Sequence, residues 1–355
     1  MYNINWERLL DNIEDRQCVL IIGPELLDVN GIPLNTAVHQ ELLKQDETDQ
    51  TGYITHYYQR DGLFSFRDTS KVRVASRVKR IYKMLSPDLT PLEKIAEIPF
   101  PLIVSVSPDN YLSDILLRRS QPHYFGYFHL RNGQQRELPT PDSSNPVLYN
   151  LTGNCDDDFS LVLDYEDLFQ LLKSSIGGYP GLPMMLGGTL NMAVSYILLG
   201  CQIDRWYTQL LLRLLSENRG VSKIAQAFIP DVETRTFLSQ HLEITLVGHE
   251  IEFLSELHKR CQGRTGCIRQ FHTSYAEEVI PVLRHLQSDN IAAALTTLHE
   301  LRAPQIETEL TLISSRFFEI QRRKEQKTLF AEQDSVLTSQ IRVAIIEMCK
   351  TLSIQ

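Results

Sequence analysis

The feature that most constrains this chain is a set of short, predominantly apolar runs: Cys18 to Ile22, Leu102 to Val106, Val147 to Leu151 and Ser195 to Leu199. A run of five residues without polar alternation must be dry on both faces. The arrangement that dries both faces of a strand is a largely parallel sheet with helices on either side. The intervals between the runs supply helices. Trp6, Leu9, Leu10 and Ile13 share one helical face ahead of the first run, and Val74, Val78, Ile81 and Leu85 recur at helical spacing before Pro87. Further strands are expected at Leu161 to Leu163 and Ile244 to Val247. Helices are expected at Tyr165 to Leu172, Leu210 to Leu215 and Glu250 to Lys259. Tyr124 to Phe128, flanked by His123 and His129, reads as a strand with half of its aromatics buried. The predicted fold is α/β, Rossmann-like, with a mostly parallel sheet and helices on both faces.

From Tyr275 onward only helical faces are found: Val279, Val282 and Leu286; Leu310, Ile313, Phe317 and Ile320; Ile341, Ile345, Met348 and Leu352. Short amphipathic helices of this kind predict a C-terminal helical bundle. The stretch Cys261 to Thr273, with Gly263, Gly266, Arg264 and Arg269, reads as the linker. The expected domains are therefore 1–262 and 275–355. Arg131 to Asn145, rich in polar residues, Gly and Pro, reads as a surface insertion without chemistry of its own.

A formal net charge of -9 argues against broad attraction to nucleic acid or anionic lipid, which rests on excess Lys and Arg. The N-terminus lacks a basic stretch followed by an apolar run, and no apolar stretch approaches the roughly 20 residues a bilayer span needs. A cytoplasmic protein with neither nucleic acid nor membrane as partner is expected. The six cysteines are scattered and read as buried small hydrophobes. Cys261 and Cys267 have no second pair at zinc-site spacing, so no metal is expected.

Four segments, in order along the chain, resemble the sirtuin-like family found as effectors in bacterial immunity. Val19-Leu-Ile-Ile-Gly23-Pro-Glu25 is similar to the family's first strand and phosphate-binding turn. Pro101 to Asp109 is similar to its strand ending in Thr-Asn-x-Asp, and Val147 to Gly153 to its Leu-His-Gly strand. Tyr196 to Asp204 is similar to its late Leu-Gly turn. The resemblance implies an NAD or ADP-ribose-like ligand at Gly23, Glu25, Asp109, Gly153, Gly200 and Asp204. It also shows that the chemistry has been altered. Glu25 stands where the family's second glycine lets pyrophosphate approach the turn, and its carboxylate would crowd and repel phosphate. Ser107 stands in place of the family's asparagine, and Thr152 in place of its general-base histidine. A threonine hydroxyl does not titrate where proton transfer is useful. Asp109 reads as a loop carboxylate capping the following helix, and Asp204 as the cap of the helix reaching Leu215. The ten histidines offer no substitute base. No catalytic residue is assigned and no cofactor is required. The zinc ribbon of a protein-deacetylating sirtuin is absent from the sequence, which speaks against deacetylation.

A second, shorter resemblance covers Leu312 to Arg323 and Ser339 to Glu347, which look like the helical effector-associated domains of bacterial conflict systems. Those domains link effectors to sensors by pairing with like domains. Where the family carries a glycine between these helices, this chain has Lys327-Thr-Leu-Phe330. The implied partner is a protein, or a second copy of this chain, held by Arg316, Phe318, Arg322, Arg323 and Arg342, with Phe317 turned into the bundle. The reading is a non-catalytic sirtuin-like scaffold or nucleotide sensor of an antiphage defence system. The enzymatic alternative is an NAD hydrolase whose catalytic residues have moved.

Overall fold

The computed structural model describes residues 4–50, 52–67, 70–130, 137–142, 145–177, 181–215, 222–226, 232–241, 243–271, 275–326 and 331–353. Two compact units are found. The first comprises Met1–Leu112 with His123–Arg269, and the second Ser113–Pro122 with Gln270–Gln355.

In the first unit, β1 (Cys18–Ile22) leads to two antiparallel hairpins. One joins β2 (Asp28–Val29) to β3 (Ile32–Pro33), the other β4 (Ile54–Tyr58) to β5 (Leu63–Phe66). The remaining strands are β6 (Leu102–Ser105), β7 (Tyr124–Tyr127), β8 (Val147–Asn150), β9 (Ser195–Leu199), β10 (Ser222–Gln226) and β11 (Ile244–Val247). Seven strands form one sheet in the order β11-β10-β9-β1-β6-β8-β7. Every pairing in it is parallel. The four runs that define the pattern in sequence are its centre. Every residue of β1, β6, β8 and β9 is buried, as a strand covered on both faces requires. The α/β, Rossmann-like fold with C-terminal helices is thus the observed one.

The chain runs from β1 to β6 on one side and later returns to β9 on the other. That reversal opens a crevice at the carboxyl ends of the central strands, where such sheets bind ligands. The expected strand at Leu161 to Leu163 is not formed. The segment is irregular and two of its three residues are buried. Its backbone instead ties the loop after β8 to β5, Val162 N donating to Thr152 O at 3.2 Å and Phe64 N to Leu163 O at 2.9 Å. The apolar residues are there to roof the end of the sheet, which mimics a short strand in sequence. The helix Tyr165–Ser175 follows, opened by a capping box between Asp164 and Asp167.

In the second unit the helices Ile280–Gln287, Ile291–Glu300, Glu307–Glu325 and Ala331–Ser353 surround one apolar core. Val279, Val282, Leu286, Leu310, Ile313, Phe317, Ile320, Ile341, Ile345 and Met348, the apolar stripes of the sequence, all contribute to it. Asn290 caps the second of these helices, accepting from Ala293 N at 3.1 Å. The unit also takes in Ser113–Pro122, which the sequence gives no reason to separate from its surroundings. Leu117 packs on the helical core, Asp114 pairs with Arg284, and Tyr275 N donates to Arg118 O at 2.6 Å. Lys327 to Phe330 lies outside the described residues, as does much of Arg131 to Asn145.

Candidate functional site

The four segments that carry the sirtuin-like resemblance end side by side at the carboxyl edge of the sheet, because β9, β1, β6 and β8 are consecutive in it. The turn after β1 is the part a dinucleotide would need, and its amides are already spent. Gly23 N donates to Leu199 O at 2.8 Å, Glu25 N to Gly200 O at 3.1 Å and Leu26 N to Gly23 O at 3.2 Å. Gly23 and Gly200 make this possible. A Cβ on Gly23 would lie 2.2 Å from Gly200 O, and one on Gly200, which sits at φ +66°, would lie 2.2 Å from Leu26 N. The β1 and β9 turns are therefore pressed backbone against backbone. After the turn comes only the 3-10 segment Pro24–Leu26, not a long helix whose N-terminus could face an anion.

Glu25 is held by Gln202, whose side-chain amide donates to its carboxylate. Burial raises the Glu25 carboxyl above its ordinary range, opposed by the Gln202 hydrogen bond and the charge of Arg205. Ser107 and Asp109 are bound to each other, with the Ser107 hydroxyl donating to Asp109 Oδ2 at 2.5 Å. Asp109 Oδ1 accepts from Tyr111 N at 3.2 Å, at the start of the helix Tyr111–Arg118, so the capping role stands. Burial raises the Asp109 carboxyl, with the Ser107 bond acting against it. Gly153, at φ +92°, lets the following loop close, since a Cβ there would lie 2.2 Å from Ser160 O. Asp204 is exposed and does not cap. It stands one residue ahead of the cap position of the helix Trp206–Leu215, and among the described residues its carboxylate has no hydrogen bond.

Beside the closed turn lies a cavity of about 140 Å³. Pro24, Val106, Pro108, Thr152 and Gln202 line it from the strand ends, and apolar side chains such as Val38, Leu42, Val78 and Leu171 make most of its wall. The Thr152 hydroxyl is buried and has no hydrogen-bond partner among the described residues. One histidine, His39, lines this same cavity. It is carried there by the helix Leu34–Thr48, whose buried stripe Leu34, Val38 and Leu42 points the adjacent position inward. His39 Nδ1 meets the Tyr57 hydroxyl at 2.9 Å, and its ring packs edge-on against Phe64 at 5.2 Å. Burial and then the charge of Arg205 lower its pKa to about 4, which keeps the imidazole neutral at neutral pH.

Arg205 is the second group that sequence reasoning passes over. It donates to Asp61 O at 2.9 Å and to the Tyr207 hydroxyl at 2.6 Å, and Tyr207 donates to the same carbonyl at 2.8 Å. The guanidinium thus pins the tip of the β4–β5 hairpin over the cavity. His39 and Arg205 escape a sequence reading because their partners, Tyr57 and Asp61, come from a hairpin whose strands are too polar and aromatic to announce themselves.

The six cysteines are all buried free thiols; burial pushes Cys18, Cys261 and Cys349 up to about 12. Among the described residues no group of three or more His, Cys, Asp or Glu could hold a metal ion. No described helix is long and apolar enough to cross a membrane.

On the second unit, Arg316 and Arg322 are exposed, Arg323 is half-buried and Phe318 is 65% exposed, whereas Phe317 is buried in the helical core. Arg342 pairs with Asp289 of the same unit. Residues 282–353 match a family model described as effector-associated domain 11, and the match lies inside this unit. Domains of this kind occur in effector-associated conflict and defence-type systems, with which a role as a defence component is compatible. The sirtuin-like resemblance of the α/β unit rests on its four segments and finds no support in that match. The sequence has no match among curated proteins.

Proposed function

We propose that this chain is a component of a bacterial conflict system, in which a non-catalytic sirtuin-like unit serves as scaffold or ligand sensor and the effector-associated unit couples it to protein partners. The effector-associated match over residues 282–353 carries the coupling role. The closed β1 turn supports the absence of dinucleotide turnover. With the Gly23, Glu25 and Leu26 amides bonded to backbone carbonyls, the turn has no donors left for a pyrophosphate, and the Glu25 carboxylate stands beside it. A cavity with a mostly apolar wall and polar side chains that include His39, Thr152, Gln202 and Arg205 is open to a small ligand.

One observation favours the enzymatic alternative. His39 lines the same cavity as Thr152 and is neutral, so its imidazole can accept a proton, although a pKa lowered to about 4 makes it a weak base. The two readings separate in one assay. Purified protein is incubated with NAD, alone and with the products of neighbouring genes, and nicotinamide is measured against a mock preparation. The scaffold reading expects no release. Release that disappears in His39→Ala would replace it with a hydrolase.

A further inference from the structure

We propose that the cavity beside the β4–β5 hairpin binds a small monocarboxylate with an apolar body, its carboxylate on Arg205 and its body against Val38, Leu42, Val78 and Leu171. The inference rests on the reading of the α/β unit as a ligand sensor and names the chemistry of the ligand. The size of the cavity sets the first limit. At about 140 Å³ it matches the roughly 150 Å³ cavity known to hold benzene, so its occupant has on the order of six to nine non-hydrogen atoms and a dinucleotide is far too large. The wall sets the second limit. Leu168 and Leu211 extend the aliphatic surface, and an occupant without an apolar body would leave that surface wet.

Arg205 sets the charge. Its Nη1 is spent on Asp61 O and the Tyr207 hydroxyl, whereas its side-chain Nη2 and Nε have no hydrogen bond among the described residues. Nor does any described carboxylate form an ion pair with it. Asp61 is the only acid among the described residues of the cavity wall, and its carboxylate accepts from the Tyr165 hydroxyl. Glu25 feels the charge of the guanidinium, but its carboxylate is held by Gln202. A half-buried cation bonded to a carbonyl and a phenol is left without a counter-charge, and the edge formed by Nε and Nη2 is the fork that takes a carboxylate through two parallel bonds. His39 stands close by. A Cβ built on Gly62 would lie 3.0 Å from Arg205 Nη1, 3.5 Å from Nη2 and 3.3 Å from His39 Cε1, so guanidinium and imidazole meet at the hairpin tip. The imidazole is neutral and adds no second positive charge. One cation beside an aliphatic wall calls for a monoanion with an apolar body. A phosphate would bring further negative charge with nothing to neutralise it, and no group to cover the wall.

The test uses the full chain and titration calorimetry with hexanoate, benzoate, hexan-1-ol and hexylamine. Hexanoate and benzoate should bind saturably. Hexan-1-ol, with the same body and no charge, should bind at least about tenfold more weakly, because bonds to an ionised acceptor are the stronger ones. Hexylamine should not bind. Shortening hexanoate to butanoate should weaken binding about fourfold for each methylene removed. Arg205→Gln should abolish the preference for hexanoate over hexan-1-ol, with circular dichroism reporting whether the variant is folded. Hydrogen exchange on the unaltered chain locates the site without any variant: hexanoate should slow exchange in the hairpin of β4 and β5, whose Gly62, Leu63 and Phe64 line the cavity. Hexan-1-ol that binds as tightly as hexanoate, with the same protection, overturns the carboxylate and leaves the sensor with a neutral apolar ligand. Hexanoate that binds without protecting the hairpin sits elsewhere and also overturns the inference. If none of the four probes binds, the ligand-sensing reading falls with it and the scaffold reading is what is left.

Discussion

Gly23→Ala tests whether the turn after β1 is a seal or a cradle. The added methyl would sit 2.2 Å from Gly200 O, 2.7 Å from its carbonyl carbon and 2.9 Å from Cys201 Cα, all backbone atoms that cannot rotate away. Relief requires the β1 and β9 turns to part, which breaks the Gly23 N to Leu199 O and Glu25 N to Gly200 O bonds. A backbone hydrogen bond contributes up to about 1.5 kcal/mol net, so the loss of two is about 3 kcal/mol. For a unit of this size that lowers the melting temperature by about 6–12 °C. Gly187→Ala is the matched control. It lies in the helix Met184–Met192 with nothing within 4 Å of the added carbon, and should gain about 0.8–1 kcal/mol from helix propensity. Differential scanning calorimetry reads both. A Gly23→Ala protein that melts with the wild type would mean that the two turns are apart in solution, leaving amides free for a phosphate and removing the main support for a non-catalytic unit.

Thr152→Val replaces an unpartnered buried hydroxyl with a methyl of similar shape and should raise stability by up to about 1 kcal/mol; a fall in denaturant midpoint would show that the hydroxyl has a partner in solution. His39, with its folded pKa lowered to about 4 from an unfolded value near 6.5, favours the native state fully above pH 6.5. As pH falls from 6.5 toward 4 the unfolded chain takes up the proton first, and at most about 3 kcal/mol is lost. Urea titrations at pH 7 and pH 5 should show this slope, and His39→Gln should flatten it; an equal slope in the variant would refute the assignment. Phe317→Ala should cost about 3–5 kcal/mol and Phe318→Ala under about 0.5 kcal/mol in thermal melts, since one ring is buried and the other is not; comparable losses would contradict the helix orientation.

What was legible in the sequence follows from how a residue's surroundings are supplied. Cys18 to Ile22 reads as a buried strand because its own five side chains show that both faces are dry, and the same holds for β6, β8 and β9. The strand Ser222–Gln226 is invisible by that test. It contains Ser, Lys and Gln, and becomes a strand because β9 and β11 offer it parallel ladders on both sides. The hairpin of β4 and β5 fails for the same reason, since Tyr57 and Tyr58 are stabilised by ring contacts from outside it, with His39 and Tyr165. In the helical unit the apolar stripes gave the core, but the inclusion of Ser113–Pro122 depends on Asp114 meeting Arg284 and could not be read from either segment alone.

The site shows the same limit in its sharpest form. Gly23 and Gly200 are glycines for a reason the sequence states correctly, that something must approach the backbone closely. It does not say what approaches. In a phosphate cradle the visitor is a ligand, and the amides are held open for it. In this chain each turn is the other's visitor, and a backbone N–H that donates to Leu199 O or Gly200 O cannot also donate to a phosphate. Glu25 is then tolerated at a position where a cradle could not accept it, because Gln202 supplies the donor its carboxylate needs and no anion competes for the space. With these amides engaged, further polar groups of the crevice converge from other elements: His39 on its helix, and Arg205 and Tyr207 gripping the hairpin at Asp61. A ligand entering the cavity would therefore be read by side chains held by tertiary contacts. Changes at Arg205 should alter its binding more than changes at Ser107 or Asp109, which are bonded to each other.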